Sequence, residues 1–270
     1  MAHNVLKGKK GIIFGALDDR SIAWKTAEKA HEEGAEFLLT NAPVAMRMGE
    51  INKLAEKTGS DIVPADATSM EDLENLFDKA LEKYGKLDFV LHSIGMSPNV
   101  RKGRSYGNLN YDWFLKTMDI SAMSFHRVLQ TAEKKEAMNE WGSIMALSYV
   151  AAQRTFPDYS DMAQAKAMLE SIARSYGYRM AKANKVRVNT ISQSPTMTTA
   201  GSGVGGFDVF FDYADKMSPL GNAPAEACAD YIVSMFSDYT RYVTMQNLMH
   251  DGGFSASGIT EELIDVLSGK

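Results

Sequence analysis

Short apolar runs alternate with longer amphipathic segments from one end of the chain to the other, and that alternation narrows the fold more than any single motif does. The runs Gly11–Phe14, Glu36–Thr40, Asp61–Pro64, Leu87–His92, Ser143–Ser148, Arg187–Ser192 and Thr244–Met249 read as buried strands. Helical periodicity fills the gaps near Ser21–Glu33, Ala45–Lys57, Met70–Lys83, Tyr111–Lys135, Asp158–Lys182 and Pro224–Ser237. Strand and helix in regular succession require right-handed crossovers, so the sheet is mainly parallel and covered on both faces. The expected class is α/β: a doubly wound, mainly parallel seven-stranded sheet with helices on both faces. Gly34 and Gly85 stand where two of the helices must stop, as left-handed caps.

No Pro/Gly/Ser linker and no internal repeat divides the 270 residues, so residues 1–270 are expected to form a single domain. The one cysteine, Cys228, lies in the apolar period Ala225–Phe236 and reads as core packing, with no disulfide partner. A net charge of −5 lacks the basic stripe of a nucleic-acid binder. Met1–Lys10 has no apolar signal region and no 18 apolar residues run together, so a cytoplasmic protein without membrane spans is expected. His3, His31, His92, His126 and His250 are scattered without ligand spacing, so no metal site is expected.

Ligands of such sheets sit beyond the carboxyl ends of the strands. Two irregular stretches, Ile94–Leu109 and Gln193–Gly206, follow strands and fall on that edge. The first strand feeds Gly15-Ala-Leu-Asp-Asp-Arg-Ser21-Ile22-Ala23, a turn that opens a helix. Free backbone N–H groups and the helix dipole there suit a pyrophosphate, although the three-glycine fingerprint is missing. An ordinary turn capped by Ser21 fits the segment equally well. After the second strand, Thr40-Asn41-Ala42-Pro43 offers neither an acid for a ribose nor a base for a 2′-phosphate, Arg47 being the nearest candidate. The missing base favours NADH and leaves NADPH possible. Asp66-Ala67 and His92-Ser93-Ile94-Gly95 end the third and fourth strands, where an acid could meet an adenine and small residues admit a cofactor.

Tyr159 and Lys166 are seven residues apart on an expected helix, so both side chains share a face, about 10 Å apart along the axis. A phenol can hold an oxygen that gains negative charge, and an ammonium can grip ribose hydroxyls. Tyr and Lys are common, and a chance surface pair fits the same spacing.

Taken in order, Gly15-x5-Ser21-Ile22-Ala23, Asp66, His92-Ser93-Ile94-Gly95, Leu147-Ser148-Tyr149, Tyr159-x6-Lys166, Val186-Arg-Val-Asn189 and Asp251-Gly-Gly-Phe-Ser255 form a specific series. Through it the chain, from Gly8 to about Ser257, resembles the bacterial enoyl-acyl-carrier-protein reductases that use NADH. They are a divergent, Rossmann-type branch of the short-chain dehydrogenase/reductases. The resemblance implies that Tyr149, Tyr159 and Lys166 are catalytic. It implies that Gly15, Ser21, Ile22, Ala42, Asp66, Ala67, Ser93, Ile94, Gly95, Lys166, Thr196, Met197, Thr198, Thr199 and Ala200 meet the dinucleotide. It places Ser97, Tyr149 and Tyr159 at the substrate and a substrate-binding lid at about 196–217. It also implies a homotetramer built through the Tyr111–Lys135 and Asp158–Lys182 helices, and an acyl carrier protein bearing an enoyl thioester as partner. Lys216 is a candidate for meeting that acidic carrier.

The chain departs from the family where Gln193-Ser194-Pro195 replaces Ala-Gly-Pro and Met197 replaces an Arg. Two other functions compete. A short-chain carbonyl reductase carries Tyr-x3-Lys, but Ala163 and Gln153 stand four residues after Tyr159 and Tyr149. A dinucleotide sensor without catalysis would be marked by loss of the Tyr–Lys pair, and both residues are present.

Overall fold

The computed structural model describes residues 2–47, 50–199 and 207–269. Six of the expected runs become strands: β1 (Lys10–Phe14), β2 (Glu36–Thr40), β3 (Leu87–His92), β4 (Met138–Ser148), β5 (Arg187–Gln193) and β6 (Asn247–His250). All pair in parallel, in the order β2-β1-β3-β4-β5-β6. Among the described residues the sheet therefore has six strands, not seven. Asp61–Pro64 reaches β2 only through one isolated bridge, Leu39 to Ile62. Leu39 N–H donates to the Asp61 carbonyl (2.9 Å), and the N–H groups of Val63 and Ala65 donate to Leu39 (3.0 Å) and Asn41 (3.1 Å). With those groups facing β2, Pro64 turns its ring outward, where it has no N–H to offer another strand.

The helices are α1 (Ile22–Glu32), α2 (Pro43–Met46), α3 (Ile51–Thr58), α4 (Met70–Tyr84), α5 (Pro98–Arg101), α6 (Tyr111–Met118), α7 (Ser124–Lys134), α8 (Met162–Asn184), α9 (Phe207–Met217), α10 (Ala225–Phe236) and α11 (Glu261–Ser268). The single helix expected over Tyr111–Lys135 is interrupted by a π-turn at Asp119–Met123. That turn presents Ser121, whose hydroxyl accepts from Met96 N–H (2.9 Å) and donates to Met96 carbonyl (3.0 Å). Gly34 and Gly85 both stand at positive φ, but Gly85 pairs φ 71° with ψ −131°, outside the left-handed cap that was expected.

Alternate strand residues enter two separate apolar layers, as a pleated sheet requires. Ile12, Leu38, Val90, Ile144 and Val188 pack beneath α4, α7 and α8. Ile13, Leu39, Phe89, Met145 and Ile191 pack beneath α1, α3 and α10. Among the described residues no helix is long and apolar enough to cross a membrane. The chain leaves β1 toward β2 on one side and returns to β3 on the other, so a crevice opens at the carboxyl ends of β1 and β3.

Phe89 sits at the centre of the second layer, fully buried and stacked on Phe236 with ring centroids 4.6 Å apart. A methyl group on Gly11 would come within 2.4 Å of its ring. Phe89→Ala is expected to lower the unfolding free energy by about 3–5 kcal/mol, read from urea denaturation. Gly11→Ala destabilises the parent chain but costs far less beside Phe89→Ala, because the methyl then occupies the vacated space. Additive losses in the double variant would refute this contact.

Candidate active site

At the head of the crevice β1 runs into Gly15, at φ 92°. A side chain there would strike the Ser93 carbonyl at 2.0 Å, so only glycine lets these two strand ends approach so closely. Ser21 caps α1: its hydroxyl donates to the Asp18 carbonyl (2.8 Å) and accepts from Trp24 N–H (3.4 Å). The segment after β5 is tied to this turn, because the Thr199 hydroxyl bonds Asp18 and Arg20 Nη2 donates to Thr199 (2.7 Å). Helix dipole, open glycine turn and capping serine thus converge where an anionic group would lie.

The two tyrosines meet further along the edge. Tyr159 does not share a helical face with Lys166, as the sequence spacing led one to expect. It ends a 3-10 turn, Pro157–Tyr159, and α8 begins only at Met162. The break is Ser160, whose φ of 46° reverses the backbone, after which the buried Asp161 carboxylate is drawn inward. Asp161 accepts from Ser97 Oγ, Asn99 Nδ2 (2.8 Å) and Thr117 Oγ1 (2.9 Å), which pins the start of α8 to α6 and to the loop after β3. Tyr159 instead faces Tyr149, with ring centroids 4.9 Å apart. Phe156, Phe210 and Phe254 pack around them, an apolar aromatic wall beside two phenols. Burial pushes both phenols above the usual tyrosine range, so both remain hydrogen-bond donors at neutral pH. The Tyr149 hydroxyl is buried and finds no partner among the described residues.

Lys166 projects from α8 to the end of β4, where Nζ donates to the Leu147 carbonyl at 2.7 Å. Gly95 is its neighbour: a Cβ on that glycine would lie 3.5 Å from Nζ. Burial brings the ammonium down to about 8, with Glu170 pulling the other way. Glu170, one turn further along α8, accepts from Ser148 Oγ (2.7 Å) and Gln153 Nε2 (3.1 Å). His92, buried at the end of β3, is held down to about 3, first by desolvation and then by the Lys166 charge. Its Nε2 meets Ser124 Oγ at 2.8 Å, and that hydroxyl donates to Ile120, so the neutral ring carries its proton on Nε2.

The other expected residues are spread along the same edge. Ser93 and Ile94 are half-buried after β3, and Ile22 opens α1. The Asp66 carboxylate accepts from Thr68 N–H (2.9 Å) and Oγ1 (2.7 Å), next to the buried Ala67. Ala42 caps the start of α2, and its N–H donates to the Asn41 side-chain carbonyl at 3.0 Å. Ser97 is buried, its hydroxyl donating to Asp161 and accepting from Val100 N–H (3.0 Å). Thr196 accepts from Gln193 Nε2 (3.3 Å), while Met197 is exposed; Thr198 N–H donates to Thr196 (2.7 Å). Ala200 and the rest of 200–206 in the expected lid lie outside the described residues. Lys216 bonds Asp212 on its own helix.

Sequence reasoning overlooked Asp161, Glu170 and the three phenylalanines. Glu170 had a legible signal, a charge four residues after Lys166 on a helical face that continues with Leu169 and Ala173. Phe254 belongs to Asp251-Gly-Gly-Phe, whose Asp251 accepts from Gly253 N–H (3.1 Å) and Ser255 N–H (3.0 Å). Phe210 comes from α9, distant in sequence. Cys228 is fully buried and burial pushes its thiol up, which makes it inert packing.

A family model described as enoyl-(acyl carrier protein) reductase matches residues 15–255. A curated relative, enoyl-acyl-carrier-protein reductase (NADH) 1 of Rhizobium meliloti, is 33% identical over 260 residues, covering 96% of this chain and 94% of its own. The FabI–NADH complex from Alistipes finegoldii is 63% identical with a TM-score of 0.95, covering 97% of this chain and 93% of that one. The Bacillus cereus enoyl-acyl carrier protein reductase, solved with NADP+ and an indole naphthyridinone, is 30% identical with a TM-score of 0.88, covering 96% and 100%.

A buried ammonium opposes folding wherever it stays charged. Below about pH 8 Lys166 is protonated in both folded and unfolded chains, and between about 8 and 10.5 the unfolded chain holds the extra proton, so stability rises with pH across that window. Lys166→Met removes this dependence, so its melting temperature is expected to fall relative to the parent's by several degrees as pH climbs from about 8 to 10. A difference in melting temperature that stays constant from pH 7 to 10 would contradict this account.

Proposed function

The chain belongs to the enoyl-(acyl carrier protein) reductase family, and on that premise we propose that it reduces the trans-2 double bond of enoyl thioesters carried on acyl carrier protein, with NADH, in fatty-acid elongation. The observation that carries this reading is the Tyr149 hydroxyl, buried without a partner among the described residues and packed against Tyr159, two residues beyond the Leu147 carbonyl that anchors Lys166. Two neutral phenols at an aromatic wall suit a thioester oxygen at the end of an apolar acyl chain.

The residues present fit a dinucleotide. The Gly15 turn and the α1 terminus would hold the pyrophosphate, with Ser21 and Ile22 at its mouth. Asp66 and Ala67 would meet the adenine end, with Ala42 at the adenosine. Ser93, Ile94, Gly95 and the Thr196–Thr199 segment would border the nicotinamide and its phosphates. Lys166 would bind the nicotinamide ribose. Asn41 spends its amide on this turn, donating to the Ala16 carbonyl (3.4 Å) and accepting from Ala42 N–H (3.0 Å). No acid or base follows β2 before the exposed Arg47, which supports NADH over its phosphorylated form.

When bound, NADH supplies the hydride that reaches C3 of the enoyl chain. Electron density then moves through C2 onto the thioester oxygen, and Tyr159 donates a hydrogen bond to that oxygen as its charge grows. Tyr149 lines the acyl pocket and lends a second phenol, and a proton delivered to C2 completes the saturated product. Burial of Tyr149 and the aromatic wall around the half-buried Tyr159 limit water at the charged oxygen and strengthen each hydrogen bond to it. The chain is assigned to the cytoplasm and works as one catalytic unit within a homotetramer.

NADH oxidation at 340 nm with crotonyl- and acetoacetyl-thioesters tests the reaction. Turnover of the enoyl substrate with NADH is expected, and turnover of the keto substrate alone would restore the carbonyl reductase. Tyr159→Phe should lower kcat roughly a hundred- to a thousandfold, the loss typical of one oxyanion donor, at unchanged NADH affinity. Full turnover in that variant would remove Tyr159 from the mechanism.

A further inference from the structure

We propose that Glu170 is a positioning residue for this reaction: its buried carboxylate is the counter-charge that keeps Lys166 an ammonium in the working enzyme, while its two oxygens clamp the strand end that carries Tyr149. The inference rests on the assignment of Lys166 to the cofactor ribose.

Glu170 and Lys166 lie four residues apart on α8, one above the other and about 6 Å apart along its axis. Both are almost inaccessible, at 4% and 7% exposure. The Glu170 oxygens accept from Ser148 Oγ (2.7 Å) and Gln153 Nε2 (3.1 Å), both neutral donors that flank Tyr149. Lys166 grips the preceding residue, Leu147, through its carbonyl. Helix α8 therefore holds the end of β4 at two consecutive residues, once with a cation and once with an anion.

A neutral side chain would serve the clamp equally well. Glutamine could accept from Ser148 and pair with the Gln153 amide, so the negative charge exceeds what the hydrogen bonds require. Its effect falls on Lys166, which burial would otherwise drive toward the uncharged amine. Among the described residues, the surrounding elements supply no equivalent. His92 from β3 is neutral, and Tyr149 and Tyr159 stay un-ionised. Asp161, at the head of α8, is occupied by Ser97, Asn99 and Thr117.

The test is NADH affinity, read by nicotinamide fluorescence, from pH 6 to 10 in the parent enzyme, Glu170→Gln and Ser148→Ala. The parent is expected to lose affinity as pH rises past about 8. In Glu170→Gln the same loss should begin about one pH unit lower, giving roughly fivefold weaker binding at pH 8, roughly tenfold at pH 9 and near-parent binding at pH 6. Ser148→Ala, which weakens the clamp and keeps the charge, should leave the midpoint in place. A Glu170→Gln midpoint equal to the parent's, or a loss of the same factor at every pH, overturns the counter-charge. A parent enzyme whose affinity ignores pH overturns the Lys166 assignment, and the inference with it. Should Glu170→Gln not fold, Glu170→Asp keeps the charge on a shorter side chain. A parent-like midpoint in that variant supports the proposal, and a midpoint lowered by a full pH unit overturns it.

Discussion

A parallel sheet cannot be closed by tight turns, so every strand must return through a crossover lying across one face or the other. All six carboxyl ends then share one edge, and whatever chemistry the chain performs gathers there. The requirement also explains the two apolar layers: strands covered on both faces have no solvent-facing side. Even the reversal between β1 and β3 follows from it, because it leaves one gap at the edge that no crossover covers. Gly15 and Ser93 approach each other across that gap, and a single Cβ would forbid the contact.

Burial at this edge creates an electrostatic difficulty that the structure meets with neighbouring charges and neutral donors. Lys166, Glu170, Asp161 and His92 are each nearly inaccessible. Unsatisfied, such groups would cost several kcal/mol apiece. Asp161 is satisfied by three side chains from two neighbouring segments, Glu170 by two donors from the end of β4, and Lys166 by a strand carbonyl. His92 escapes the difficulty by staying neutral. The same bonds fix the backbone of the loop after β3 and of the segment bearing Tyr149, so satisfying the polar groups and placing the reactive ones are a single act.

The aromatic wall is assembled differently. Tyr149 and Phe156 come from the end of β4 and the loop that follows, Tyr159 from the turn before α8, Phe210 from α9 and Phe254 from the loop after β6. No local period links them. They meet because those loops leave the same edge of the sheet, and the Asp251 turn directs Phe254 inward.

Period and turn residues by themselves determined the α/β class, six of the strands and most of the helices, because the alternation of apolar runs with amphipathic stretches has few other solutions. The motif series singled out the Gly15 turn, Tyr149, Tyr159 and Lys166 as candidates through the family resemblance, and the fold brings them to one edge of the sheet. Tertiary structure alone decided the rest. Asp61–Pro64 is as apolar as a strand, yet at the sheet edge it meets β2 through one bridge, and Pro64 has no N–H to offer a strand on its other side. The π-turn at Asp119–Met123 breaks an amphipathic pattern that reads as continuous, with Ser121 bonded to both backbone groups of Met96. Tyr159 leaves the helical face that its spacing from Lys166 implies, because Asp161 finds its hydrogen-bond donors in the core only if Ser160 reverses the backbone. Each of these outcomes depends on partners remote in sequence, whose positions exist only once the chain has folded.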